Sequence, residues 1–132
     1  MKSSPLLRAE LILFGLLILH TLDHAVNQPA RELPAGSGLV GLAGFAIVAV
    51  AIVFALAAGR LATPIGLLAG AGTVIGFAVV HIPGSGPLAD PYFDFDANAL
   101  TWILALAPIA AAAWVATITI AELRRKGEPA LA

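Results

Sequence analysis

Leu39 to Ala58 reads LVGLAGFAIVAVAIVFALAA, twenty consecutive residues with no charge and no strongly polar side chain. A helix rises about 1.5 Å per residue, so this stretch alone matches the roughly 30 Å hydrocarbon core of a bilayer. Its apolar residues form an unbroken run rather than the 3.6-residue or alternating stripe of a half-buried element in water. The segment therefore predicts a membrane span.

Three further segments of the same kind flank it: Leu6 to Val26, Ile65 to Ile82 and Ala97 to Leu123. Together the spans 6–26, 39–58, 65–82 and 97–123 take up most of the 132 residues and leave almost nothing for a soluble domain. Mean hydropathy is +0.97, with 60% hydrophobic and 11% charged residues. The reading is an all-α integral membrane protein, one domain over 1–132, built as a four-transmembrane-helix up-down bundle. Lys2 and Arg8 before the first apolar stretch resemble a signal peptide, but the stretch is too long for a signal core. No small-x-small cleavage site follows it, so a retained first span is expected.

The net charge of −1 gives no basic field for nucleic acid, and the absence of cysteine excludes thiolate ligands and disulfides. Any metal must rest on His, Asp or Asn. Lys2, Arg8, Arg60, Arg124, Arg125 and Lys126 flank the spans on one side, with Arg31 alone on the other. The positive-inside rule then puts both termini in the cytoplasm and the two longer loops outside, in the plasma or inner membrane of a prokaryote.

Helix punctuation is clear in places. Ser4-Pro5 and Thr63-Pro64 each read as an N-cap followed by proline at the first helical position. Pro29 closes the first span at or before Gln28, and Pro29 to Gly38 reads as a loop. Asp94 or Asp96 is the expected cap of the fourth span. Gly66 with Gly70, and Gly72 with Gly76, have the spacing that lets neighbouring helices approach closely on two sides. Pro108 should leave a backbone hydrogen bond to be made up locally. Glu10, near Arg8, is expected to pair with Arg60 or Arg124.

The chemistry concentrates in His20, Asp23, His24, Asn27 and His81. At about 100° per residue the four residues of the first span lie within about a 100° arc, which continues the Leu13, Leu16 and Leu17 face. At about 1.5 Å per residue His20 and His24 stand roughly 24 and 30 Å from Ser4, and His81 roughly 27 Å from Thr63. All three histidines therefore reach one level, near the outer edge of the membrane. Polar groups at that level are ordinarily solvated by headgroups or cap the helix end. The sharper reading is a transition-metal site of His20, Asp23, His24 and His81.

Two histidines at i and i+4 can grip one ion and a third from a facing helix closes the set. Imidazole with a carboxylate suits Zn²⁺, Cu²⁺ or Fe²⁺ better than Mg²⁺ or Ca²⁺. Asp23 would ligate or orient an imidazole, and Asp90, Asp94 or Asp96 could fold over from the loop that also carries Tyr92, Phe93 and Phe95. A shared ion requires His24 and His81 within about 10 Å of each other, given metal–nitrogen bonds of about 2.0 to 2.1 Å.

Three function classes follow. The first is an extracytoplasmic metal-site protein that stores or hands over the ion, or uses it in catalysis. The second is a non-catalytic accessory subunit, packed as a homo-oligomer or in a larger membrane complex. The third is a haem-binding or quinone-reactive electron carrier, with haem held by His20 or His24 and His81. The spans offer too little polar lining for a stand-alone channel.

Overall fold

Ser4 starts the first helix as its sequence promises: the Leu7 N–H donates to the Ser4 hydroxyl at 3.1 Å and Pro5 occupies the first helical position. The structure is a computed structural model that describes residues 4–27, 35–82, 88, 90 and 98–127. Among these, four helices occur in the order α1 (Pro5–Asn27), α2 (Ala35–Leu56), α3 (Ala62–His81) and α4 (Ala99–Gly127). All four are long and apolar enough to cross a membrane. The protein is an all-helical membrane protein. Arg31, Glu32, Asp94, Asp96, Tyr92, Phe93 and Phe95 lie outside the described residues.

Several boundaries differ from the sequence reading, each for a local reason. Residues 35–38, expected as loop, begin α2, since a glycine costs only about 1 kcal/mol in a helix and the apolar run behind it compensates. Thr63 does not cap α3. The helix starts two residues earlier behind Leu61, with no side-chain cap. The Thr63 hydroxyl instead donates to Glu122 Oε2 at 3.1 Å and accepts from Lys126 Nζ at 2.9 Å, tying the start of α3 to the end of α4. Pro64 still falls in the first turn, where a missing N–H costs nothing. The cap of α4 is Asn98, whose Oδ1 accepts the Thr101 N–H at 3.0 Å, and not Asp94 or Asp96.

α2 ends in a Schellman turn. The Gly59 N–H reaches the Phe54 carbonyl at 3.1 Å and the Ala58 N–H reaches that of Ala55 at 3.2 Å. Ala58 takes the left-handed position with φ 47°, a place glycine usually fills.

Packing is cyclic: α3 contacts α2 and α4, and α1 contacts α4 and α2, the α1–α2 seam being the least extensive of the four. The core mixes Leu6, Leu13, Leu17, Val48 and Phe77 with Ala9, Ala51, Ala69, Ala111 and Ala112. Large aliphatics such as Leu11, Ile12, Val53, Ile75 and Ile103 point outward. That inversion of a soluble fold follows from the solvent: lipid tails are as apolar as leucine, so helices join through small residues that allow close contact.

Gly70 shows this most sharply, since a Cβ there would lie 2.7 Å from the Ala112 carbonyl oxygen and from the Ala116 nitrogen. Gly66 is likewise pressed against Glu10, Thr119 and Leu6. The second glycine pair behaves differently from expectation. Nothing lies within 4 Å of a Cβ placed on Gly72, and Gly76 would meet only Val40 at an ordinary 3.5 Å.

Glu10 also departs from expectation. It is fully buried on the Leu6, Leu13, Leu17 face, and neither carboxylate oxygen has a hydrogen-bond partner among the described residues. The helical phase that buries those leucines carries Glu10 inward, and no ion pair with Arg60 or Arg124 forms among the described residues.

Candidate metal centre

His20 and His24 are one turn apart on α1, and their Nε2 atoms stand 3.2 Å from each other. Without an ion this is an N–H···N bond in which one ring donates. Around a tetrahedral zinc, bonds of about 2.0 to 2.1 Å would put ligand nitrogens about 3.3 Å apart, so the same spacing fits two ligands of one ion.

His81, the last residue of α3, completes the group. Its ring lies 5.4 Å from that of His20 and stacks 6.1 Å from that of His24, inside the 10 Å limit a shared ion demands. One ligand atom from each of the three residues lies within 4.8 Å of the others, so the cluster can hold a metal ion. Phe77, one turn before His81, contacts the rings of both His20 and His81 at 4.8 and 5.2 Å and forms an apolar floor.

Asp90 reaches the cluster through backbone geometry. The last carbonyls of a helix lack internal partners, and the Asp90 N–H takes that of Val80 at 2.7 Å. This places the Asp90 carbonyl 2.8 Å from His81 Nδ1. A carbonyl only accepts, so the His81 proton sits on Nδ1 and Nε2 keeps its lone pair for a ligand. The buried carboxylate of Asp90 has Oδ2 3.7 Å from His24 Nδ1 and 3.9 Å from His81 Nδ1.

His20 is oriented from the other side. The backbone of Leu104 on α4 faces its ring. The group free there is the carbonyl, because Pro108, four residues on and inside the helix, has no N–H to give it.

Asp23 is buried beside the cluster but turned toward α4: its Oδ1 accepts from Asn27 Nδ2 and, at 3.4 Å, from the Thr101 hydroxyl. The three-histidine group is thus formed without it. Sequence reasoning named Asp90 only among three loop aspartates and overlooked Thr101, Phe77 and Leu104. For Leu104 a signal existed, since a mid-helix proline frees the carbonyl four residues before it.

The cluster opens onto a cavity of about 410 Å³ between α1, α2 and α3. No protein-family model, curated protein or solved structure matches this chain.

Proposed function

We propose that this protein binds one transition-metal ion through His20, His24 and His81 at the extracytoplasmic face of an up-down four-helix bundle with both termini in the cytoplasm. The observation that carries the proposal is the convergence of three ligand atoms from two helices within 4.8 Å. Three imidazoles with an open fourth position suit Zn²⁺, and also Cu²⁺ or Fe²⁺. Convergence of three rings rather than two on one point favours a bare ion over haem.

Asp90 serves as the fourth ligand or as the acceptor that orients His24 and His81, and Asp23 supplies a further negative charge beside His20. A metal held with an open position acts as a Lewis acid or lowers the pKa of bound water, so the site suits either transfer of the ion or metal-assisted chemistry. The setting is the plasma membrane of a prokaryote. Lipid covers the outward leucines, isoleucines and valines, and the thinly buried α2 is the face for a second copy or a larger membrane complex.

Metal analysis of the detergent-purified protein, prepared without chelator and titrated with Zn²⁺, Cu²⁺ and Fe²⁺, tests this reading. About one ion per chain is expected, lost in His24→Ala and in His81→Ala while helicity is retained. A folded wild-type protein that neither carries nor takes up any of the three ions would overturn it.

A further inference from the structure

The other buried threonine hydroxyls in these helices have acceptors. Thr119 donates to the Val115 carbonyl at 3.0 Å, Thr63 to Glu122 Oε2 at 3.1 Å and Thr101 to Asp23 Oδ1 at 3.4 Å. Thr73 is the exception. It is only 4% exposed, and its hydroxyl has no hydrogen-bond partner among the described residues. A buried donor left unmade is costly, and this one belongs to the wall of the 410 Å³ cavity.

That cavity has the size of a small-molecule site, for which about 300 to 1,000 Å³ is usual. Its walls are Leu17, Val40, Phe45, Ile47, Phe77 and Val80 with five glycines between them. Four of these, Gly38, Gly41, Gly44 and Gly72, have nothing within 4 Å of an added Cβ, so the missing side chains keep the space open. One end of the cavity is His20, His24, His81 and Asp90.

From Ser37 to Ile47 the lining runs about 15 Å along α2, and Thr73 lies about 12 Å below His81 along α3. Of the exposed lining residues, Thr21, Gly41, Leu42 and Ala43 belong to the spans themselves and Gly38 lies in the first turn of α2 at the histidine end. The mouth therefore meets acyl chains rather than water, and an apolar space of this kind does not hold water.

We propose that this cavity binds an elongated lipid-soluble molecule, hydrocarbon along most of its length, that brings an oxygen head to the three histidines and an acceptor oxygen to Thr73. Only the role of the head rests on the metal reading; seating of the chain is independent of it. Entry is sideways from the bilayer, past the α1–α2 seam.

Photolabelling of the purified protein in micelles with a hexadecanol carrying a mid-chain diazirine tests the proposal, with hexadecanol and a mid-chain keto-hexadecanol as competitors. Labelling should be saturable and map to lining residues between Ser37 and Ile47 and between Gly72 and Val80. Gly44→Leu and Gly72→Leu, which fill open space away from the histidines, should each abolish saturable labelling while metal content stays at the wild-type level. Thr73→Val should weaken competition by the keto alcohol about fivefold, the loss of one neutral hydrogen bond, and leave hexadecanol unaffected.

Saturable labelling of a protein that holds no metal would support the chain site and remove the metal reading. Non-saturable labelling spread over outward residues such as Leu11, Ile75 and Ile103, or labelling indifferent to both leucine variants, would overturn the proposal even if metal is bound.

Discussion

Pro108 on α4 frees the Leu104 peptide carbonyl, and the Leu104 backbone faces the ring of His20 on α1. A residue that weakens one helix thereby offers an acceptor to a side chain of another, inside an apolar interior where an unmet acceptor is expensive.

Pro108→Ala restores an N–H at that position and lets α4 reclaim the Leu104 carbonyl. The variant should be more stable to heat than the wild type, yet bind zinc about tenfold more weakly, the usual order of effect when a group orienting a ligand is lost. Chelator competition measures the affinity. An unchanged zinc affinity would show that the Leu104 contact does not orient His20.

Gly70 and Gly72 lie two residues apart on α3 and should respond oppositely to one added methyl. Gly70→Ala drives a Cβ into the backbone of Ala112 and Ala116, and a loss of about 1 to 3 kcal/mol is expected from such overpacking. Gly72→Ala points into open space and should be close to neutral. Thermal unfolding in detergent, followed by circular dichroism, separates the two.

Ala58 holds a left-handed conformation with φ 47°, which costs an L-residue about 1 to 2 kcal/mol. Ala58→Gly should raise stability by about 1 kcal/mol, since the strain relieved exceeds the chain entropy that glycine adds. If the melting temperature falls instead, the Schellman turn at Gly59 is not the conformation that ends α2.

Glu10 buries a carboxyl group without a hydrogen-bond partner among the described residues. Glu10→Gln keeps the shape and removes the need to bury a charge, so its stability should equal or exceed that of the wild type. A loss above about 2 kcal/mol would mean that the carboxylate is paired in the membrane, as breaking a buried pair would cost more than that.

The helical period of 3.6 residues was enough to put His20, Asp23 and His24 on one side of α1, because that relation is internal to one helix. It was not enough to say which neighbour each would meet. Phase differences of tens of degrees send His20 and His24 toward α3 and turn Asp23 toward Thr101 on α4. Thr63 shows the same limit at a helix end: its sequence context favours a cap, and a polar pair on α4 offers its hydroxyl better partners.

What the sequence alone determined is therefore what depends on length and local chemistry: four apolar helices of membrane-spanning length, the Ser4 start of α1, and histidines at matching heights. Tertiary structure decided the rest. It selected Asp90 through the Val80 carbonyl, turned Glu10 inward, made Gly70 a contact and Gly72 a void, and left Thr73 facing a cavity. The reason is physical. Burial from water fixes a span because it sums over some twenty residues, whereas helix rotation in lipid is set by a few close contacts between small side chains, and no single segment contains both partners of those contacts.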